Sequence, residues 1–172
     1  MKSLIVACML IASTSNGQGV ELSRHIQDRF PSMCKALEIS SLVKGKDKDV
    51  VMNMMCGYSV FARGMNEVVY MDSDTGCCFV TVLFSFTDER CVRLEVTMSY
   101  NEEDSLRRDA ESIINRFNWI YNGHADMDAA LANYNARAQY VSRSLIWHNS
   151  DSYVQMSFID KQAGKSIQIL FY

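Results

Sequence analysis

The sequence predicts an α+β fold in which helices pack on one face of an antiparallel sheet of about six or seven strands. Apolar residues recur at every second position in residues 78–100 and again in residues 153–172, which is the period of strands with one buried face. Residues 102–121 instead carry an apolar stripe with the 3.6-residue period of a helix. We therefore expect the element order α-ββββ-αα-βββ in a single domain that spans residues 18–172.

The central hairpin is predicted from two alternating strands on either side of a polar break at residues 87–90. Its apolar row consists of Val80, Val82, Phe84, Phe86, Val92, Leu94, Val96, Met98 and Tyr100. A three-residue loop at 88–90 would place Phe86 opposite Val92, and Cys91 would then lie on the solvated face. The same register predicts three further pairs, which are Phe84 with Leu94, Val82 with Val96, and Val80 with Met98.

The central helix is predicted to follow an Asn101 N-cap, with acidic residues in its first turn, and to end near Gly123. Its apolar stripe consists of Leu106, Ala110, Ile113, Ile114, Phe117, Ile120 and Tyr121. A hairpin with one apolar face and a helix with one apolar stripe are expected to pack on each other, so this helix should cover the central hairpin.

The elements before the central hairpin are predicted from shorter patterns. Residues 19–40 repeat apolar side chains at spacings of three and four, and Pro31 should begin a second helical segment because proline suits a first turn. Residues 44–49 are charged and are expected to form a solvated loop. Two short strands are predicted at 58–62 and 67–71, followed by a turn at 72–76.

The elements after the central helix are predicted to be a second helix at 125–137, a strand at 140–148, and a closing hairpin with strands at 153–159 and 166–172. The apolar rows of that hairpin match if Phe158 faces Ile167, Met156 faces Ile169 and Val154 faces Phe171. We expect both hairpins to belong to one sheet, with the helices on a single face.

Residues 1–17 have the three-part layout of a secretory signal peptide, with Lys2, an apolar run at 4–12, and small polar residues before Gly17. The run is shorter than the ~20 residues that span a bilayer, so no transmembrane segment is expected after signal removal. The prediction is an exported protein, either periplasmic or extracellular. Two alternatives are an intracellular protein whose N-terminus belongs to the fold, and a lipoprotein modified at Cys8.

The composition narrows the classes of function. Hydrophobic residues make up 48% of the chain and charged residues 22%, which is typical of a folded globular domain. The formal charge is −3, and removal of residues 1–17 takes away only Lys2 and leaves −4, so no basic excess points to nucleic acid. No zinc spacing, phosphate-binding loop or catalytic signature occurs, so neither a metal nor a cofactor is predicted.

Five cysteines remain after the predicted cleavage, and they are Cys34, Cys56, Cys77, Cys78 and Cys91. We expect most of them to be buried, reduced thiols. The strand alternation places Cys77 and Cys91 on the solvated face of the sheet, where a thiolate could act as a nucleophile. A Cys-dependent enzyme or redox protein is therefore an alternative to a binding domain.

A candidate binding surface lies where the central helix ends. Trp119 falls off the apolar stripe, and an exposed tryptophan beside Asn122 and His124 would suit partner binding. Trp147 is added because aromatic residues cluster in this part of the sequence. For Trp119 alone, the simpler explanation that it caps the edge of the core is favoured. The sequence thus predicts a non-catalytic binding or interaction module for an unidentified protein or small ligand.

Overall fold

Seven strands form one antiparallel sheet in the computed structural model, which describes residues 22–74, 78–121, 143–148, 153–161 and 164–172. The strands are β1 (Val60–Arg63), β2 (Glu67–Asp74), β3 (Cys78–Thr87), β4 (Arg90–Tyr100), β5 (Arg143–His148), β6 (Tyr153–Lys161) and β7 (Gly164–Phe171). The helices within these residues are α1 (Arg24–Arg29), α2 (Pro31–Val43), α3 (Lys48–Met54) and α4 (Glu103–Ile120). The predicted fold class is confirmed, and none of these four helices is both long and apolar enough to cross a bilayer.

The sheet has the strand order β1-β2-β3-β4-β7-β6-β5. Strands β1 to β4 form one meander and strands β5 to β7 form another. The two meanders are joined where β4 pairs with β7, from Leu94 opposite Phe171 to Tyr100 opposite Lys165. The central and closing hairpins therefore share one sheet, as predicted.

The register of the central hairpin is confirmed over most of its length, with Phe84 opposite Leu94, Val82 opposite Val96, and Val80 opposite Met98. The closing hairpin is also confirmed, with Phe158 opposite Ile167, Met156 opposite Ile169, and Val154 opposite Phe171. Alternation predicts these pairs because a slip by one residue would turn a whole apolar row toward solvent.

The turn of the central hairpin differs from the prediction. Thr87 pairs with Arg90, which leaves a two-residue loop in which Asp88 and Glu89 have φ values of 48° and 61°. Two successive left-handed residues are typical of a type I′ turn, whose twist matches that of the flanking strands. The chain adopts this turn without the glycine that usually accompanies it.

A bulge after this turn changes which side chains are buried. Phe86 lies opposite Cys91 rather than Val92, and Val92 becomes the extra, exposed residue. The backbone N–H of Cys91 donates to the carbonyl of Lys46 at 2.8 Å, and its carbonyl accepts from the N–H of Gly45 at 2.7 Å. The side chain of Cys91 is buried. The prediction that Cys91 lies on the solvated face is therefore wrong.

The helical layer covers more than the central hairpin. Helix α2 lies against β2, β3 and β4, whereas α4 lies against β4 and β7. The central helix thus covers the seam between the two meanders, which corrects the predicted packing. The buried core between the layers includes Phe30, Met33, Val82, Phe84, Val96, Ile113, Phe117 and Ile169.

The opposite face of the sheet carries a row of polar side chains at directly paired positions, which are Thr81, Thr97, Gln168, Ser157 and Ser144. Beside this row, Glu95 accepts hydrogen bonds from Gln168 Nε2 at 2.7 Å and from Thr97 Oγ1 at 3.2 Å, and it forms an ion pair with Arg93. The hydroxyl oxygens of Ser144 and Ser157 are 2.8 Å apart. Hydrogen bonds therefore join polar groups of this face between β4 and β7 and between β5 and β6, and further contacts lie within β4.

Several element boundaries differ from the predicted ones. Pro31 begins α2, as predicted, but residues 72–74 extend β2 instead of forming a turn. Lys48 was predicted in a solvated loop, whereas its buried Nζ donates to the carbonyls of Gly64 and Met65 at 3.0 and 2.6 Å. The predicted signal peptide at 1–17 and second helix at 125–137 lie outside the described residues.

Candidate binding groove

A cleft of about 400 Å³ opens between α1 and α2 on one side and the last turns of α4 on the other. Its apolar lining consists of Leu22, Pro31, Leu37, Tyr58, Phe117 and Ile120. Its polar lining consists of Gln27, Lys35, Glu38 and Arg116. We call this cleft, defined by these residues together with Cys34, the α2–α4 groove.

The start of α2 is fixed by a residue from the sheet. Phe30 is the N-cap of α2 and provides no side-chain hydrogen bond to the helix. Asp72 of β2 takes that role, because its Oδ2 accepts from the N–H groups of Ser32 and Met33 at 2.9 and 3.1 Å and from the Ser32 hydroxyl at 2.6 Å. A carboxylate at a helix N-terminus satisfies free N–H donors and the helix dipole, so one wall of the groove is anchored to β2.

The other walls are fixed by a buried cluster of charged and polar groups. Arg29 of α1 lies 2.7 Å from Asp74 and 3.3 Å from Asp109 of α4, which is 0% exposed. The hydroxyl of Tyr100 donates to the same Asp109 oxygen, Oδ2, at 3.1 Å. Removal of one member would leave a buried charge uncompensated, so the cluster holds α1 against α4.

The other oxygen of Asp109, Oδ1, has no hydrogen-bond partner among the described residues. Its nearest ion-pair contact is the Nε of Arg108 at 3.8 Å, which is too long for a hydrogen bond. Burial, the charge of Asp109 and the hydrogen bond to Asp109 all raise the pKa of Tyr100 above its ordinary value, so its phenol stays protonated. Tyr100 therefore remains a hydrogen-bond donor to Asp109, and this contact joins β4 to α4.

Charged side chains line both walls of the groove. Lys35 and Glu38, both on α2, form an ion pair at 3.0 Å. Arg116 lies on the facing helix, with its guanidinium carbon 5.6 Å from the centre of the Trp119 ring, within cation–π range. Among the described residues, the charged side chains that line the groove are therefore those of Lys35, Glu38 and Arg116.

Cys34 adds a thiol to the lining of the groove. Burial, reinforced by the negative charge of Asp72, raises the pKa of Cys34 from 9.0 to about 12. The side chain is consequently a protonated, weakly polar group at neutral pH, and it lines the groove as a small hydrophobe rather than as a nucleophile.

The predicted binding residues divide into three groups. Trp119 is 50% exposed and lies one turn of α4 away from the groove residue Arg116. Trp147 is only 3% exposed, donates from Nε1 to Asn118 Oδ1 at 2.9 Å, and packs against Phe117 with a ring separation of 5.1 Å. Trp147 thus belongs to the core and not to the predicted surface. Asn122 and His124 lie outside the described residues.

The sequence prediction missed the α2 side of the groove. Helix α2 buries Met33, Ala36 and Ile39 against the sheet, and Cys34 and Leu37 extend its apolar surface sideways toward α4. An apolar surface wider than one stripe was the available signal, because a helix that only covers a sheet needs a single apolar side.

The thiol alternative rested on Cys77 and Cys91. Cys77 lies outside the described residues, and Cys91 is buried, which raises its pKa above 9.0. Burial also raises the pKa of Cys78 to about 12, against the opposing charge of Arg29. Cys56 is exposed. No set of three His, Cys, Asp or Glu side chains within the described ranges could hold a metal ion.

A second cavity of about 30 Å³ lies at the far end of the helical layer, near Val43, Tyr121 and Phe171. That volume holds about one water molecule, so it is too small for a ligand.

Comparison with known proteins adds no functional assignment, since no family model, curated protein or solved structure matches the chain.

Proposed function

We propose that this protein is a non-catalytic, exported α+β domain that binds a small, largely apolar ligand in the α2–α4 groove. The observation that carries the proposal is the groove itself, with a volume of about 400 Å³ and a described lining in which six apolar side chains and Cys34 accompany four polar ones. Small-molecule sites are typically clefts of about 300–1,000 Å³ with mostly apolar walls and a few polar groups that orient the ligand.

The anchoring of the groove walls supports a preformed site. Asp72 fixes the start of α2, and the Arg29–Asp109 contact fixes α1 against α4. These contacts join residues 40 and 80 positions apart in the chain, so the two sides of the cleft are held by the tertiary structure. A site that does not have to be assembled on binding loses less free energy to ordering.

The raised pKa values of Cys34, Cys78 and Cys91 argue against nucleophilic chemistry at these three thiols. A reactive cysteine needs an accessible, stabilised thiolate. Cys34 and Cys91 instead have raised pKa values because burial disfavours the thiolate.

Export is proposed on the signal-like composition of residues 1–17 alone. N-terminal sequencing of protein recovered from the periplasm or culture medium tests it, and retention of residues 1–17 there would contradict it.

The binding function is tested with an uncharged probe, N-phenylnaphthylamine, whose fluorescence rises in apolar sites. We expect saturable binding of one dye per chain. Ile120→Asp should weaken it by about tenfold or more, because a charge in the apolar lining must be desolvated when the dye enters. Ile146→Asp is the matched control, since Ile120 and Ile146 are 42% and 52% exposed but only Ile120 lines the groove.

Two results would overturn the binding function. One is the absence of saturable dye binding to a chain whose circular dichroism and thermal unfolding are cooperative. The other is an equal loss of dye affinity in both isoleucine variants, which would place the dye elsewhere on the surface.

A further inference from the structure

The side chains that line the α2–α4 groove differ in how deeply they are buried. Phe117 of α4 is 2% exposed, and its ring packs against that of Trp147 in the core. On the facing wall, Cys34 of α2 is half-buried. Ile120 and Pro31 line the same groove but are exposed. We define the floor of the groove as Phe117 and Cys34.

Cys34 makes a recess in the α2 wall because its neighbours on that wall are larger. Residues three and four positions apart are neighbours on a helix surface, so Pro31, Leu37 and Glu38 flank this cysteine. Each of these side chains has more heavy atoms than that of cysteine. A ligand in the groove can therefore approach the axis of α2 most closely at Cys34.

The chemistry of the floor suits an uncharged group. Burial and the negative charge of Asp72 raise the pKa of Cys34 to about 12, so its thiol is protonated at neutral pH. A charged group that reached this thiol would lose hydration, and the thiol would offer it no ionic partner. Asp72 would in addition repel an anion there. The part of a ligand that lies on the floor should therefore be apolar and uncharged.

We infer that Cys34 is a specificity-determining residue of the groove, because its small side chain sets how far the uncharged, apolar end of a ligand can reach. This inference rests on the proposed binding function of the same groove. The ligand class is a molecule with an apolar chain end, whose polar group stays at the exposed mouth where water can hydrate it.

The test uses the straight-chain alcohols from pentanol to dodecanol, each in competition with N-phenylnaphthylamine for the full-length protein. We expect the affinity to rise about fourfold for each added carbon and then to level off, because carbons beyond the groove stay in water. Cys34→Leu should move this length limit to a chain about two carbons shorter, since leucine brings more bulk to the floor. Cys34→Ala should not shorten it.

Ser41→Leu is the matched control for the added bulk. Ser41 is a small, exposed residue of the same helix, and it does not line the groove. This variant should keep the length limit of the unchanged protein. Circular dichroism and thermal unfolding verify that each variant is folded before its affinities are compared.

Alkylation by N-ethylmaleimide provides a second measurement that needs no variant. Saturating decanol should slow the modification of Cys34 by about fivefold or more, because the bound chain covers its thiol. Cys56 is the internal control, since it is exposed and does not line the groove, and its rate should not change. Mass spectrometry of the cleaved peptides measures the two rates separately.

The outcomes separate the inference from the function beneath it. Three results would overturn the inference while the dye still binds in the groove. One is a length limit that Cys34→Leu leaves unchanged, and another is an equal shift in Ser41→Leu. The third is an alkylation rate of Cys34 that decanol does not alter although it displaces the dye. If the dye itself does not bind, the groove function falls.

Discussion

The two faces of the sheet stabilise the same strands by different means, and β4 shows both. Val96 and Met98 are fully buried beneath the helices, whereas Glu95 and Thr97 point the other way into a network of hydrogen bonds. The covered face depends on the removal of apolar area from water, and the polar face depends on paired donors and acceptors. The α2–α4 groove lies within the helical layer, between α1 and α2 on one side and α4 on the other.

The largest difference between the faces is expected from Phe84→Ala. Phe84 is fully buried and packs edge-on against Tyr70 with ring centres 6.0 Å apart. Its removal should lower the free energy of unfolding by about 3–5 kcal/mol through lost burial and an unfilled cavity. Thr81→Ala, on the polar face of the same strand, should cost less than about 1 kcal/mol. Urea denaturation measures both, and equal losses would contradict the division between the faces.

A smaller effect is expected from Glu95→Gln. Glu95 accepts from Gln168 and Thr97 and pairs with Arg93, so loss of its charge weakens three contacts at once. We expect a loss of about 1–2 kcal/mol in the free energy of unfolding. Glu38→Gln is the matched control, because it removes a more exposed ion pair worth about 0–1 kcal/mol. If Glu95→Gln lowers the free energy of unfolding no more than Glu38→Gln does, the polar network contributes nothing measurable to stability.

The smallest effect near neutrality is expected from pH. Cys78 and Tyr100 on the covered face have raised pKa values because burial disfavours their charged forms. Unfolded cysteines ionise from about pH 9.0, whereas folded Cys78 keeps its proton until about pH 12. The contribution of the buried Cys78 thiol to the free energy of unfolding is therefore complete below pH 9 and is lost as the pH rises toward 12.

Urea denaturation between pH 7 and pH 11 measures this dependence. We expect a plateau up to about pH 9 and a decline above it. Cys78→Ala should flatten the decline, whatever its effect on stability at pH 7. A stability that rises between pH 9 and pH 11, or a slope that Cys78→Ala leaves unchanged, would contradict the expectation.

Alternation predicted the fold well because it is a local property of the chain. The pairs of Phe84 with Leu94 and of Met156 with Ile169 follow from matching apolar rows, and both are confirmed. The pattern failed at the turn because Asp88 and Glu89 both adopt left-handed backbone conformations, which aspartate often accepts but glutamate rarely does. The resulting bulge moved Cys91 from the polar row to the core.

The groove could not be predicted from period alone. Its walls are positioned by contacts such as Ser32 with Asp72 and Arg29 with Asp109, and no spacing rule connects residues so far apart in the chain. The binding surface that the sequence predicts around Trp119, one turn of α4 from the groove residue Arg116, stays a prediction. Trp147 was assigned to that surface because it is aromatic, but it alternates with Leu145 along β5 and both side chains face the core. The strand pattern was therefore a better guide to its position than its residue type.

The seam between β4 and β7 has a consequence for synthesis on the ribosome. Strands β1 to β4 emerge first and can form their meander, but β4 must wait for β7, which follows β5 and β6 in the chain. Until then β4 is an open edge with unsatisfied backbone groups, the kind of surface that recruits chaperones or aggregates. The sheet is therefore completed late in synthesis, through pairing between strands that are far apart in the chain.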